Sequence, residues 1–435
     1  MAVQRRMHLV AYLKTGPTAN HVGAWRHPDS DLHDIFEPTR YEHLARVLEA
    51  GCFDAGFFAD TFGIPDLHGN HFRIYLERGG QITYLDPLAI LPLMARVTTH
   101  LGLGATLSTT FQTPYYLART LASLDLISKG RAAWNVVTSA MELEARNFGL
   151  DGLPPKDERY DRGDEVLEAC CALWDCWQDG ALVMNRATGQ FADASKVRYA
   201  DYVGKYVRTR GPLGMPRSPQ GRPVFLQAGA SPRGREFAAR WAEMIFCTPH
   251  TRQDAQAFYA DIKQRVEAHG RPPWHCAVLP SFGICVAETD SIAREKADYL
   301  DSLSDPELVT AGNSHLLGVD LSAHRTDDAV RAAQGNGGIQ GSHDRVLQVA
   351  QAEGISFAEA AGRPRRLLVG TATTIADFLE DWFTGGACDG FIFWPTIFPG
   401  MFEDVTRHIV PELQRRGLFR TAYQGRTLRE NLHAP

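Results

Sequence analysis

Eight short apolar runs, separated by segments with helical spacing, constrain the fold more than any other feature of the chain. The runs are His8–Leu13, Phe53–Ala59, Leu101–Leu107, Arg131–Val137, Pro223–Ala228, Glu243–Cys247, Ala277–Ala287 and Gly390–Trp394. Unbroken apolar strands of this kind are typical of parallel sheets that helices cover on both faces. Eight of them suit a closed barrel better than an open sheet, so we predict an α/β fold, a (β/α)8 TIM barrel.

Two longer segments interrupt this alternation. Residues 180–222, roughly, are rich in Gly, Pro and aromatics, and we interpret them as a hairpin-like insertion after the fourth helix, predicted at Tyr160–Trp177. Residues 303–368, roughly, lie between strands seven and eight and have weak periodicity. Because a structureless loop of that length is uncommon in a compact domain, we expect irregular helices that form a lid. The last helix is predicted at Phe402–Arg416, followed by a tail, and residues 1–435 are interpreted as a single domain.

Composition excludes several classes of protein. With 44% hydrophobic and 22% charged residues the chain is of ordinary globular type, and its net charge of -6 gives no electrostatic footprint for nucleic acid. No apolar stretch reaches the roughly 18 residues of a membrane span. The 8 cysteines are scattered without a C-x-x-C pair, which favours a reducing, cytoplasmic setting without disulfides or zinc.

The stretch Pro223–Glu236, PVFLQAGASPRGRE, reads as a strand that turns sharply into a helix. Ser231 suits the N-cap and Pro232 the first helical position. The free N–H groups at such a helix start bind phosphate, so we predict that a cofactor's phosphate lies here, with an ordinary capped helix as the alternative. A serine hydrolase is disfavoured, because Arg233 replaces the second Gly of G-x-S-x-G and Pro232 lacks the N–H of an oxyanion hole.

The carboxyl ends of the predicted strands carry hydroxyls, amides and one carboxylate, Asp60. In a TIM barrel the active site lies at these ends. We find no pair of carboxylates for glycoside hydrolysis and expect no lysine at a strand end for a Schiff base. His68 and His71 have no third metal ligand in view. A rim of this kind indicates that a bound cofactor performs the chemistry.

Each of these residues also has an ordinary structural explanation. Asp60 could cap a loop, and the hydroxyl of Thr106 could face the backbone. Trp25 and Trp394 could be core aromatics, and His71 a solvated loop histidine.

Several long motifs resemble the bacterial-luciferase-like flavin monooxygenases, in the branch of the nitrilotriacetate, EDTA, dibenzothiophene-sulfone and dimethyl-sulfide monooxygenases. These motifs are GRAAWNVVTSAMELEARNFG at Gly130–Gly149, DERY at Asp157–Tyr160, QAGAS at Gln227–Ser231, GTATTIADFLEDWF and GACDGF within Gly370–Phe391, and VPELQRRGLFRTAYQGRTLRENL at Val410–Leu432. WRHP at Trp25–Pro28 is similar to the dimethyl-sulfide and long-chain-alkane members. The resemblance extends over nearly the whole chain in the same order.

The resemblance implies a TIM barrel and a two-component reaction. A separate NAD(P)H-dependent flavin reductase would supply reduced FMN, which reacts with O2 through a flavin C4a-hydroperoxide to oxygenate a substrate. By motif matching, Asp60, Thr106, Tyr160 and Ser231 fall on FMN-binding positions of the family, with Ser231 at the phosphate. Lys156 stands where the family often has a His, four residues before Tyr160, and we include it as a cofactor-binding candidate.

A wall of Trp25, Phe62, His71 and Trp394 is predicted for the substrate pocket. Its aromatic character favours an apolar or heteroaromatic substrate over a small charged one, and His71 is a candidate proton donor. The resemblance adds organosulfur and amine substrates, because carbon–sulfur and carbon–nitrogen oxygenation both occur in the family. The resemblance also implies a homodimer or homotetramer. A flavin-binding protein without catalysis, a hydrolase or lyase that needs no flavin, and a deazaflavin-dependent oxidoreductase on the same fold are alternatives.

Overall fold

Parallel strands close into a barrel in the computed structural model, which describes residues 5–17, 20–33, 35–323, 337–361 and 367–433. Its eight strands are β1 (His8–Leu13), β2 (Ala55–Phe58), β3 (Gly102–Ser108), β4 (Ala132–Val137), β5 (Val224–Gln227), β6 (Met244–Cys247), β7 (Ala277–Val286) and β8 (Gly390–Trp394). Each strand pairs in parallel with the next, and β8 pairs with β1 to close the ring. The predicted TIM barrel is confirmed, and β1 and β8 have the predicted bounds.

Helices surround the barrel, and several begin at a proline whose missing N–H is not needed in the first turn. The α-helices are Pro38–Ala50, Arg73–Arg78, Pro87–Arg96, Pro114–Ile127, Glu142–Asn147, Lys156–Trp174, Pro232–Trp241, Arg252–Ala268, Asp290–Ser302, Pro306–Leu317, Gln340–Glu353, Phe357–Ala361, Ala372–Thr384, Gly400–Asp404, Val410–Arg415 and Leu428–His433. A π-helical turn at Val405–Ile409 interrupts the predicted last helix, which begins two residues earlier than Phe402.

The predicted C-terminal tail was wrong, because Leu428–His433 is a helix that closes the amino-terminal end of the barrel. Leu428 and Leu432 are 0% and 4% exposed and join the hydrophobic cluster inside the barrel. A side chain on Gly102, at the start of β3, would lie 2.7 Å from Leu428, so the helix fits closely against the strands. Two leucines four residues apart present one apolar face, which is buried here against the barrel floor.

The insertions contain more regular structure than expected. The first holds two small antiparallel hairpins, Leu182–Asn185 with Gln190–Ala192 and Tyr202–Val203 with Arg208–Thr209. The second contains the expected helices and ends in a strand that sequence analysis missed, Leu367–Gly370, which pairs with β7 outside the barrel. Part of the second insertion, including the start of the Gly-rich patch at Gly335–Gly341, lies outside the described residues.

Candidate active site

A cavity of about 280 Å³ lies at the carboxyl ends of the barrel strands. Its floor is built by strand ends and the residues that follow them: Tyr12, Lys14, Ala59, Asp60, Thr106, Asn135, Val137, Ala228, Phe246 and Trp394. This is the end of the barrel at which TIM-barrel enzymes carry their active sites. The cavity therefore lies where the sequence predicted the chemistry.

Two segments cover this cavity, and the second of them belongs to the insertion that we expect to form a lid. The first is the connection after β2, which contributes Pro65, Tyr75 and Gln81. The second is the helix Pro306–Leu317, hereafter the cover helix, which contributes Leu308 and His315 among others. The Tyr75 hydroxyl donates a hydrogen bond to the Ala311 carbonyl at 3.1 Å, and apolar side chains of the two segments form one cluster. They lie over part of the cavity mouth, and their motion as a lid stays a prediction.

A second cavity of about 200 Å³ adjoins the first. Both cavities are lined by Asp60, Thr61, Val137, Met141, Ala228 and Ile339. Beyond this shared wall the second cavity reaches the starts of two helices, where Lys156, Arg159, Tyr160 and Ser231 line it. The two spaces together form one elongated site with a helix-terminus end and a barrel-mouth end.

Ser231 and Pro232 form the helix start that the sequence predicted. Ser231 is the N-cap of Pro232–Trp241, with φ -67° and ψ 158°, and its Oγ accepts a hydrogen bond from the Gly234 N–H at 3.1 Å. It is 6% exposed and lines the second cavity. Helix N-termini attract anions through free N–H groups and the positive end of the helix dipole, so this end of the site suits a phosphate.

Tyr160 lies beside Ser231 and is 8% exposed. Burial raises the pKa of its hydroxyl, outweighing hydrogen bonds with Ser231 and Thr138, so the hydroxyl stays protonated and able to donate. A side chain on Gly234 would lie 2.8 Å from the Tyr160 oxygen, so the glycine is what allows this approach. Arg233 lies over the Tyr160 ring at 5.4 Å and pairs with Asp164 at 2.6 Å.

Lys156 and Arg159 bring positive charge to this end of the site. Lys156 is the first residue of the helix Lys156–Trp174 and lines the second cavity, as its candidacy for cofactor binding requires. Arg159 was missed by sequence analysis; it is 3% exposed and donates to the carbonyl oxygens of Thr138 and Ser139. Ser139 has φ 57°, a left-handed conformation that is uncommon for residues other than glycine, and it also lines the cavity. Arg159 lies inside the DERY motif, which was the available signal.

Thr106 and Asp60 lie at the barrel mouth, and each also makes the backbone or side-chain hydrogen bonds that an ordinary structural role would need. The Thr106 hydroxyl donates to the Phe58 carbonyl at 2.7 Å and accepts from the Asn135 amide at 2.9 Å. Asp60 accepts from the Thr61 N–H at 2.7 Å, as a loop cap would. Burial raises the pKa of the Asp60 carboxyl, with the nearby Lys14 charge opposing that shift. The alternatives foreseen for both residues are therefore present, and both residues line the cavity as well.

Two buried acceptors at the strand ends have no hydrogen-bond partner within the described part of the chain. They are Oδ1 of Asn135 on β4 and Oε1 of Gln227 on β5. An unsatisfied buried acceptor is costly unless a ligand completes it. A flavin mononucleotide offers N–H donors on its ring and an anionic phosphate, which match these acceptors and the Ser231 helix start. The residues present therefore fit this cofactor.

Of the four aromatic residues predicted to line the substrate pocket, Trp394 lines the cavity, and the other three lie outside its described lining. Trp394 lines the cavity and is 2% exposed. Trp25, Phe62 and His71 are not among the described lining residues. Trp25 donates to the Arg78 carbonyl at 3.0 Å, Phe62 packs edge-on against Phe148 with ring centroids 5.1 Å apart, and His71 is exposed against Phe72. The structure therefore does not bring these three residues to the described lining of either cavity, because each side chain contacts residues outside that lining.

The expectation that no lysine ends a strand was wrong. Lys14 directly follows β1, is 8% exposed and lines the cavity. His315 on the cover helix lines the same cavity, and burial together with the Lys14 charge lowers its pKa to about 4. His315 is therefore neutral near pH 7, where it can accept or donate a hydrogen bond.

Metal and membrane sites were searched for over the described ranges. None of those residues forms a group of three or more His, Cys, Asp or Glu side chains that could hold a metal ion. No helix in that part of the chain has both the length and the apolar character to cross a membrane.

The chain has extensive similarity to known proteins. A family model described as luciferase-like monooxygenase matches residues 17–388. The dibenzothiophene-sulfone monooxygenase of Rhodococcus erythropolis (strain XP) is 42% identical over 443 residues, covering 99% of this chain and 97% of that protein. Nitrilotriacetate monooxygenase component A of Aminobacter aminovorans is 37% identical over 426 residues, covering 95% and 93%. A crystal structure of riboflavin lyase with modified FMN and riboflavin has a TM-score of 0.89 at 30% identity, covering 98% and 96%.

Proposed function

This chain belongs to the luciferase-like monooxygenase family, and from that premise we propose that it uses reduced FMN and O2 to add one oxygen atom to a small organic substrate. Dependence on a reduced flavin and O2 is the property its relatives share. The observation that supports FMN in particular is the elongated site, which joins a phosphate-suited helix start at Ser231 to unsatisfied acceptors at the barrel mouth. The riboflavin lyase structure, which contains modified FMN on a similar fold, is consistent with that choice.

The residues around the second cavity would hold the phosphate. Ser231 and Tyr160 supply hydroxyl donors, and Lys156 and Arg159 supply positive charge. At the barrel mouth, Asn135 and Gln227 offer acceptors to the N–H groups of the flavin ring. When bound, reduced flavin supplies the two electrons with which one oxygen atom of O2 enters the substrate and the other leaves as water.

The protein's own contribution is to orient the reactants and exclude water. The cover helix and the connection after β2 close the cavity above the strand ends, where electrostatic interactions are strengthened by the low dielectric. His315, which is neutral near pH 7, faces this space and can donate or accept a hydrogen bond there, and burial raises the pKa of the Asp60 carboxyl, which lines the same cavity. Trp394 supplies a flat apolar wall.

The names of the relatives suggest substrates with carbon–sulfur or carbon–nitrogen bonds, such as a sulfone or a tertiary amine. We propose an organosulfur, amine or heteroaromatic substrate for this chain, oxygenated with FMNH2 from a separate flavin reductase. The name "component A" of one relative supports a two-component system. All 8 cysteines are free thiols, in keeping with work in a reducing cytoplasm, and a homodimer or homotetramer is the expected assembly.

Photoreduced FMN and ¹⁸O2 test this function without knowledge of the reductase. The purified protein is mixed with them and a panel of sulfones, sulfides, tertiary amines and heteroaromatics, and products are read by mass. We expect a product that carries one ¹⁸O atom and forms only when both flavin and oxygen are present. The Ser231→Ala variant, assayed at subsaturating FMN, is the matched control and should be slower.

Other outcomes identify the alternatives. Product that forms without oxygen and flavin indicates a hydrolase or lyase, and consumption of added riboflavin indicates an activity like that of the riboflavin lyase. Stoichiometric FMN binding with no turnover across the panel supports a non-catalytic flavin-binding protein. Tighter binding of a deazaflavin than of FMN points to a reductase. Each of these results contradicts the proposal.

A further inference from the structure

Three hydrogen-bond donors that have no partner among the described residues line one cavity at the mouth of the barrel. They are the ammonium of Lys14 after β1, the side-chain amide of Asn20 in the next loop, and the hydroxyl of Ser304 just before the cover helix. Within the described residues, the Asn20 Nδ2 and Ser304 Oγ atoms are buried and make no hydrogen bond. Donors left open in this way indicate a ligand that brings acceptors.

Lys14 is the most informative of the three. The residue is 8% exposed, and across the described chain its ammonium has no carboxylate within the 4.0 Å of an ion pair and donates no hydrogen bond. The cavity that Lys14 lines therefore offers a ligand a cationic hydrogen-bond donor that no side chain of the described residues occupies.

Of the charged and titratable groups that face Lys14, Asp60 interacts with its charge at a distance, and none of them forms an ion pair with it among the described residues. Asp60, at the end of the neighbouring strand β2, is the carboxylate among the described lining residues of this cavity, and it already accepts from the Thr61 N–H. His315, across the cavity, is neutral near pH 7. Asp301 is engaged by His21, with its Oδ1 2.8 Å from the His21 Nε2. The Lys14 side chain can therefore make a direct contact with an anionic group of a ligand in this cavity.

The loop that carries Asn20 is fixed in place. The His21–Asp301 contact joins it to the segment before the cover helix, and the Asn20 N–H donates to the Pro395 carbonyl at 3.2 Å. A side chain on Gly23 would lie 2.6 Å from the Ser304 nitrogen, so the two backbones touch. The donors are thus preorganised, which lowers the entropy cost of binding.

Apolar and aromatic side chains make up much of the remaining cavity, including Tyr75, Phe246, Leu308, Val309 and Trp394. A ligand that fits both parts has an apolar body and one anionic oxygen group. We propose that the substrate of this enzyme is an organic acid, with its carboxylate or a comparable oxyanion bound by Lys14, Asn20 and Ser304, and that Lys14 determines specificity. This inference rests on the proposed function.

Matched acids and amides test the anion site directly. The probes are phenylacetate, 3-phenylpropanoate and 4-phenylbutanoate with their primary carboxamides, and binding to the FMN-loaded protein is measured by ligand-observed NMR. We expect the wild-type protein to bind at least one acid tenfold or more tightly than its amide. Lys14→Met should abolish that preference while amide binding changes less than twofold. Asn20→Ala should reduce the preference by a smaller factor.

Two measurements keep the result interpretable. Thermal unfolding should show that Lys14→Met is as stable as wild type, because among the described residues the Lys14 ammonium makes no ion pair or hydrogen bond that the substitution would remove. Lys296→Met, at an exposed helix position outside the cavity lining, is the matched control and should keep the full acid preference.

The inference is overturned if wild type shows no acid preference, or if Lys14→Met weakens FMNH2 binding in an anaerobic titration while the acid-to-amide ratio stays unchanged. The second result would assign Lys14 to the reduced flavin ring. Failure of the proposed function is distinguishable, because it would appear as an absence of ¹⁸O in every product while the acid preference persists.

Discussion

Replacing Ser231 by alanine separates the two roles that its hydroxyl has in this structure. The Oγ atom accepts from the Gly234 N–H at 3.1 Å, which caps the helix, and it lines the cavity where we place the FMN phosphate. A hydroxyl has one donor and two acceptor positions, so it can cap the helix and donate to a phosphate at the same time. The alanine variant loses both interactions.

The expected magnitudes differ for folding and for binding. Loss of the cap should lower the free energy of unfolding by about 1 kcal/mol. Loss of a hydrogen bond to a charged phosphate should weaken FMN binding by about 1–2 kcal/mol, which is roughly 5- to 30-fold in Kd. The Gly234 N–H freed by the substitution can itself turn to the phosphate, so the lower half of that range is expected.

Riboflavin, which has the same ring without the phosphate, provides the decisive comparison. Fluorescence titrations should show that Ser231→Ala weakens FMN binding and leaves riboflavin binding unchanged within twofold. Thr289→Ala removes an equivalent N-cap from Asp290–Ser302, outside the described cavity lining, and should cost similar stability without altering either affinity. Equal losses for FMN and riboflavin, or none for FMN, would refute the phosphate assignment.

Three further outcomes are expected. Arg429 donates to both carboxylate oxygens of Glu243, at 2.6 and 2.8 Å. Arg429→Ala would leave the buried Glu243 carboxylate without this partner, so the free energy of unfolding measured in urea should fall by about 3–5 kcal/mol. A fall of less than about 1 kcal/mol would contradict this expectation. A side chain on Gly283 would lie 2.4 Å from the Trp394 ring, so Gly283→Ala should push the indole into the cavity and weaken FMN binding. Calorimetry should also show the fold destabilised by about 1–3 kcal/mol. Unchanged FMN binding would be inconsistent with this geometry. The pKa of His315 is lowered from 6.5 to about 4 in the folded protein, so as the pH falls the unfolded chain binds a proton at this side chain before the folded protein does. With respect to this side chain, the protein therefore keeps its full stability above pH 6.5 and loses up to about 3 kcal/mol of it as the pH falls towards 4. His315→Gln should reduce the difference in unfolding free energy between pH 7 and pH 4.5, and an unaltered difference would count against the shift.

The barrel could be predicted because its signals are local. A strand buried on both faces appears as an unbroken apolar run, and a proline or glycine marks most of the turns between strands and helices. The helix Leu428–His433 could not be predicted in the same way, since its two buried leucines are explained only by the barrel floor that they contact. The strand Leu367–Gly370 is four residues long and pairs with β7 alone, which leaves little signal in the sequence.

The difference between local and long-range signals also explains which site residues could be predicted from the sequence. The Ser231 cap was predicted because strand, serine and proline are consecutive, and Tyr160 came from a motif. Lys14 was missed because a lysine after a strand is ordinarily solvated, and it is buried here by a cover helix that lies far along the chain. Trp25 and Phe62 were expected in the pocket because they are aromatic, but aromatic character does not distinguish a cavity wall from a cluster between loops.

The two ends of the site are built from different kinds of structure, and this bears on how one fold serves different substrates. The end at which we place the phosphate consists of the starts of two helices that follow β4 and β5 in the chain, with a buried cap at Ser231 and a glycine that admits the Tyr160 hydroxyl. The substrate end is completed by connections, namely the segment after β2 and the cover helix. Connections tolerate changes of sequence better than barrel strands do, so the substrate can change while the contacts that we propose for the cofactor are kept. Lys14 is the exception at the substrate end, because the strand β1 holds its backbone, and a charge fixed to the barrel is the feature from which substrate chemistry can be inferred most directly.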